Sequence, residues 1–218
     1  HLKMWYLTRI KVLNGMGIRK VRTSEFVEQT FEEPVYTQVN IQHYNKSKNG
    51  EAFDRLKFYS HPELFESNFL RFAKKADLLI AGAFWDPKAP TLFNREDILS
   101  ENFKIKVIAD ITCDIEGSIP STKQPSTIAE PIYDFNATTN SVELPLSAEK
   151  NITVMAVDNL PCELPRNASE DFGRELINNV LSHLLGDDSE EVIKRATITE
   201  NGKLTKKFAY LQDFVDGK

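Results

Sequence analysis

The chain has 218 residues, of which 41% are hydrophobic and 27% charged, enough to bury a sizeable core as one large domain or one domain with an appendage. Its net charge of -5, with lysines that never gather into a basic run, argues against a nucleic-acid partner, whose phosphates demand a basic surface. No apolar run of about 18 residues and no secretory signal pattern is present, so no membrane partner is expected and the expected compartment is cytoplasmic. The two cysteines, Cys113 and Cys162, can build neither a disulfide framework nor a four-thiol zinc site, and read as reduced thiols near strand ends.

In chain order, Ile10 to Gly15 reads as the tail of a helix stopped by Gly15-Met16-Gly17, and Ile18 to Val21 as a short strand. Thr23 to Glu28 reads as a helical turn capped by Thr23 or Ser24. Val35 to Ile41 and Leu56 to Tyr59 are weaker strand expectations, separated by a polar loop at Asn45 to Gly50. From Pro62 to Ala76, Leu64, Phe65, Phe69, Phe72, Ala73 and Ala76 fall close to helical spacing, which predicts an amphipathic helix. Leu78 to Ala83 and Ile105 to Ala109 read as apolar strands with a helical link around Asn94 to Ser100, a pattern of parallel strands buried on both faces.

Gly117 to Pro131, rich in Ser, Thr and Pro, reads as a long excursion of the kind that is functional or mobile. A strand returns at Thr153 to Val157 and ends in Asp158 and Asn159. Pro161 and Pro165 stiffen the turn that follows, because each fixes its own φ and biases the residue before it away from helix. The polar pair is thereby held at the C-terminal end of a strand, where open α/β sheets bind ligands. Arg166 to Leu185, Ser189 to Arg195 and Leu204 to Val215 are expected to be mostly helical, with a turn at Asn201-Gly202.

Ala76-Asp77-Leu78-Leu79-Ile80, Val107 to Asp114, the Asp158-Asn159-Leu160-Pro161 turn and Ala196 to Leu204 occur in an order that resembles one family. It is that of the lysine-forming saccharopine dehydrogenases and the lysine-2-oxoglutarate reductase domain of aminoadipic semialdehyde synthase, within the alanine dehydrogenase and transhydrogenase superfamily. The resemblance runs from about Lys11 to near the C-terminus and implies an NAD- or NADP-binding portion of an oxidoreductase acting on a carbon–nitrogen bond.

The implied contacts are specific. The resemblance places Gly82, Ala83 and Phe84 against the cofactor, although a glycine needed for packing and an aromatic in the core is the other reading. It places Ala109 against the cofactor and Asp110, Ile111 and Thr112 toward the substrate, with a turn-forming role for Asp110 as the alternative. It sets Val157, Asp158, Asn159 and Leu160 at the nicotinamide end, Asn159 standing where some members carry histidine, with an Asx turn before Pro161 as the alternative. Arg22, at the end of the second strand, suits the 2′-phosphate of NADP where an acid would bind the ribose of NAD.

Two departures limit what this span is expected to do. A dinucleotide fold places a glycine-rich turn between its first strand and first helix to bind the pyrophosphate, yet His1 to Ile10 contain no glycine. The family's catalytic domain, with its acid–base pair and its grip on an amino-acid substrate, is not matched, and His43 and His61 do not occupy those positions. No catalytic residue is therefore assigned.

The expected architecture is α/β, a Rossmann-like parallel sheet with flanking helices, lacking its first strand and glycine-rich turn. Residues 1–165 are expected to form an incomplete dinucleotide-binding domain and 166–218 a helical segment that packs on it or completes a catalytic domain. An exposed sheet edge would favour a homo-oligomer. A separate catalytic chain, an alanine-dehydrogenase-like fragment and a non-catalytic remnant stay open.

Overall fold

The computed structural model describes residues 12–83 and 85–217; the reading of His1 to Lys11 and of Phe84 lies outside the described residues. The chain divides into two compact units, His1–Leu160 and Pro161–Lys218.

The first unit is organised by a five-stranded sheet. Its strands are β5 (Leu78–Ala81), β6 (Val107–Asp110), β7 (Tyr133–Asn136), β8 (Ser141–Glu143) and β9 (Ile152–Met155), in the order β5-β6-β9-β7-β8. β5, β6 and β9 are parallel, with Ala81 level with Asp110 and Ala109 level with Met155. The two apolar segments around 78 and 107 form parallel strands as their composition predicts, but the burial on both faces expected for them is incomplete, since Leu78 and Val107 at their starts are exposed. Ile108, Phe135, Val154 and Ala156 are fully buried. β7 and β8, which the sequence pattern does not announce, form an antiparallel hairpin whose first strand pairs with β9, Tyr133 opposite Val154.

Ahead of this sheet, β1 (Arg19–Lys20) and β2 (Val35–Tyr36) pair in parallel around α1 (Thr23–Glu28). The cap of α1 is Arg22, not Thr23 or Ser24: the Glu25 carboxylate accepts the Arg22 backbone N–H at 3.0 Å. The strand expected from Val35 to Ile41 stops at Tyr36, and α2 (Ile41–Tyr44) follows.

Further predicted elements are corrected, among them the polar loop expected from Asn45 to Gly50, whose first three residues form a strand. Leu56 to Tyr59 lie in α3 (Arg55–Ser60), because the Asp54 carboxylate accepts from the N–H groups of Leu56 and Lys57 and starts a helix. The helix expected over Pro62 to Ala76 is interrupted. β4 (Phe65–Ser67) pairs antiparallel with β3 (Asn45–Ser47), and only α4 (Leu70–Ala73) is helical beyond it. The apolar spacing is satisfied by aromatic packing instead: Phe65 lies 5.5 Å from Phe53 and 5.1 Å from Phe58 between ring centroids, and Phe69 lies 6.0 Å from Phe93. The link before β6 carries α5 (Arg95–Ile98), capped by Asn94 accepting from the Asp97 N–H.

The second unit contains α6 (Pro165–Leu176), a wider turn at Ile177–Leu181, α7 (Ser182–Leu185) and α8 (Val192–Ala196). After these come β10 (Thr199–Glu200) and β11 (Lys203–Leu204), a 3-10 segment at Lys206–Leu211 and α9 (Gln212–Val215). Asn201 and Gly202 join the antiparallel β10 and β11 with φ of 49° and 75°. Two successive positive φ values match the right-handed twist of a hairpin, which is why this dipeptide is a turn signal.

Candidate functional site

Three parallel strands ending at one level put their following residues side by side. β5 runs into Gly82 and Ala83, β6 into Ile111 and Thr112, and β9 into Ala156 to Asp158. The Ile111 N–H donates to the Ala81 carbonyl at 2.9 Å, carrying the β5–β6 ladder one residue further. Gly82 and Ala109 are half-buried, Val157 is buried, and Asp158 and Asn159 are exposed.

Asp110, the last residue of β6, is 1% exposed. Its Oδ1 accepts from the Thr112 N–H at 3.0 Å, the Thr112 hydroxyl at 2.6 Å and the Cys113 N–H at 3.3 Å, and its Oδ2 accepts from the Thr122 hydroxyl at 2.7 Å. Both oxygens are engaged by the chain's own donors, so the carboxylate fastens the loop after β6. A buried carboxylate tolerates its position only with such partners. The loop turns tightly: Cys113 and Glu116 hold φ of 52°, and a Cβ added to Gly117 would lie 2.6 Å from the Asp114 Cβ. Only glycine fits there. Tyr133 closes the loop from the sheet side, donating from its hydroxyl to the Ser121 carbonyl at 3.1 Å and accepting the Lys123 N–H at 3.0 Å.

Acidic groups crowd the Cys113 thiol. Burial raises its pKa first, and the negative charges of Asp110, Asp158 and Asp114 raise it further, so the thiol stays protonated and is a poor nucleophile. The Asp114 carboxyl is likewise raised by burial and by Asp110, opposed by a hydrogen bond from Thr112.

Ala156, one residue past β9, has its whole peptide held. Its carbonyl accepts from the Ser126 N–H at 2.9 Å and from the Cys113 thiol at 3.1 Å, and its N–H donates to the Ser126 hydroxyl at 2.9 Å. Ser126, within the Ser/Thr/Pro-rich excursion, forms a parallel bridge with Val157. The sequence marks that excursion as unusual but gives no sign that Ser126 meets a strand 30 residues away. Thr122 was equally illegible as a partner of Asp110.

Arg22 does not end a strand; it caps α1. Its guanidinium is paired with Glu25 at 2.6 Å on an open surface, and the pairing raises the Arg22 pKa and lowers that of Glu25. Nearby Lys20 donates to Gln38 and Arg19 pairs with Glu33. His43 is half-buried and His61 exposed, and neither belongs to the strand-end cluster. An open cleft lined by Lys48, Ser67, Lys88 and Asn94 shares no residue with it either. Among the described residues, no group of His, Cys, Asp and Glu is arranged to hold a metal ion, and no helix is long and apolar enough to cross a membrane.

A mixed sheet with three adjacent parallel strands, flanking helices and small or polar residues gathered past their C-terminal ends defines an α/β domain of the dinucleotide-fold type. Residues 20–207 match the family model of the alanine dehydrogenase/PNT C-terminal domain, and the chain belongs to that family. Alpha-aminoadipic semialdehyde synthase of Arabidopsis thaliana is 29% identical over 205 residues, which cover 91% of this chain and 18% of the relative. The mitochondrial enzyme of that name from Mus musculus is 29% identical over 202 residues, 81% of this chain and 22% of the relative. The lysine-forming, NAD(+) saccharopine dehydrogenase of Candida albicans is 30% identical over 108 residues, 49% of this chain and 26% of the relative. A solved L-alanine dehydrogenase superposes with a TM-score of 0.45 at 17% identity, over 95% of this chain and 49% of that one. The chain thus spans about a fifth of the length of the first two relatives.

Proposed function

We propose that this chain is the nicotinamide-dinucleotide-binding portion of an oxidoreductase acting on a carbon–nitrogen bond in lysine metabolism, as the names of its semialdehyde synthase and saccharopine dehydrogenase relatives suggest. The observation that carries the reading is the exposed Asp158-Asn159 pair standing on a buried, immobilised strand end beside half-buried Gly82 and Ala109. Small residues let a ligand approach the backbone. A carboxylate and an amide together can accept from ribose hydroxyls and pair with a carboxamide.

The donor set therefore fits the nicotinamide half of the dinucleotide. Val157, Asp158, Asn159 and Leu160 would hold the nicotinamide ribose and ring, and Gly82, Ala83 and Ala109 would border the backbone approach. The bound dinucleotide supplies hydride transfer, while the protein positions it and shields it from water. Among the described residues no glycine-rich strand-to-helix turn occurs, and no residue is assigned to the pyrophosphate. Asp110, with Thr112, we assign to shaping the site, not to touching substrate, because its oxygens are occupied. Ile111 stays on the substrate side. Arg22 would have to leave Glu25 to meet a 2′-phosphate, which favours NAD over NADP.

The acid–base groups and the grip on an amino-acid substrate we place in a further domain or a separate chain. Calorimetric titration with NADH and then NADPH tests the proposal. Micromolar binding of NADH, equal to or tighter than that of NADPH, is expected; no binding of either at millimolar concentration refutes it.

A further inference from the structure

Ala156 is unusual in that all the hydrogen-bonding capacity of its backbone is satisfied from outside the sheet. After the last β6–β9 register pair at Ala109 and Met155, the ladder gives way to Ser126 and Cys113. The Ser126 hydroxyl takes the Ala156 N–H, and the Ser126 N–H and the Cys113 thiol share the Ala156 carbonyl. Two residues later the chain presents Asp158, whose carboxylate no hydrogen bond or ion pair engages among the described residues.

We propose that Ser126 and Cys113 are positioning residues that clamp the Ala156 peptide and so fix where Asp158 and Asn159 point. The inference rests on the dinucleotide reading of that strand end. Its physical basis is that buried N–H and C=O groups need partners, and that holding the Ala156 peptide, with Ser126 also bridged to Val157, removes freedom from the backbone that leads into Asp158. Ser126 is 8% exposed and Ala156 fully buried, so the hydrogen bonds lie out of water, where a lost partner is not replaced. Cys113 contributes as a protonated donor, and its positive φ is imposed by the turn that Asp110 fastens. The thiol and the Asp110 loop therefore tie the ends of β6 and β9 together.

The test uses the full chain with Ser126→Ala, Cys113→Ala and the conservative variants Ser126→Thr and Cys113→Ser, which keep a side-chain donor at each position. Thermal melts establish the temperature at which each is folded, and NADH is titrated below it while the emission maximum of bound NADH is recorded at saturation. The alanine variants are expected to bind NADH about fivefold to tenfold more weakly, as loss of about one oriented hydrogen bond implies. Their bound NADH should show a maximum displaced toward that of free NADH. The donor-retaining variants should restore both readouts. A merely structural clamp would lower the melting temperature and leave the bound emission unchanged, and that result overturns the proposal. If Ser126→Ala does not fold, Cys113→Ala decides alone, because it removes one donor and leaves the Ser126 pair intact. Failure of the unsubstituted chain to bind NADH would instead refute the dinucleotide reading and the clamp's role with it.

Discussion

Replacing Asp110 separates a fastening role from a ligand-contacting one. Asp110→Ala would strand the Thr112 and Cys113 N–H groups and the hydroxyls of Thr112 and Thr122, Thr122 being fully buried. A hydroxyl can turn to another acceptor, but a backbone N–H cannot. Two unsatisfied N–H groups at about 1–3 kcal/mol each, plus a small cavity, amount to about 3–5 kcal/mol. At about 2–4 °C per kcal/mol for a chain of this size, the melting temperature should fall by about 6–20 °C. Asp110→Asn keeps a carbonyl oxygen for the three donors on the Oδ1 side and presents an amide to Thr122, whose hydroxyl can accept in place of donating. It should lose only about 1 kcal/mol, or about 2–4 °C. Denaturant unfolding and thermal melts at neutral pH measure both, with NADH affinity of Asp110→Asn expected within twofold of the parent. If Asp110→Ala proves no more destabilising than Asp110→Asn, the hydrogen bonds do not fasten the loop. If Asp110→Asn is stable yet loses NADH binding, the carboxylate acts on the ligand.

His43 makes the chain sensitive to mild acid. Its Nδ1 accepts the Asn40 N–H at 2.9 Å while the Arg71 guanidinium donates to its carbonyl, and burial, then Arg71, lowers its pKa. The native chain consequently binds fewer protons than the unfolded one. Stability from this site is complete above the unfolded histidine pKa of about 6.5 and is lost as pH falls through the native value. Melting temperatures from pH 7.5 to 5.0 should decline more in the parent than in His43→Gln; parallel curves would refute it. For Asp134, burial pulls the pKa upward, but hydrogen bonds from Thr153, Leu146 and Ser147 outweigh it and leave it lowered. Its contribution should hold above about pH 3.9 and fade as pH falls through its native value, a loss absent from Asp134→Asn. Phe65→Ala, which empties a buried site ringed by Phe53 and Phe58, should cost about 3–5 kcal/mol in denaturant unfolding. A cost under about 1 kcal/mol would show that this aromatic group is not part of the cooperative core.

What the sequence determined by itself are features with local causes. Leu78 to Ala81 and Val107 to Asp110 are legible as parallel strands from their short apolar runs, though Leu78 and Val107 stay exposed, and Asn201-Gly202 is legible as a turn because both residues tolerate positive φ. The Asp158-Asn159 pair was legible for the same reason, as two polar residues between an apolar strand and a proline-stiffened turn.

Tertiary structure decided the rest. Phe65 belongs to a helically spaced apolar set, yet pairing of Phe65 to Ser67 with Asn45 to Ser47 satisfies their backbone as a strand. Tyr133 to Asn136 become a strand because β9 offers an edge. The clamp on Ala156 and the fastening of Asp110 join groups far apart in sequence, Ser126 to Ala156 and Thr122 to Asp110. A serine or threonine in a polar loop carries no local mark of the buried acceptor or donor it will meet. That meeting exists only once the sheet has closed and removed water from the alternatives.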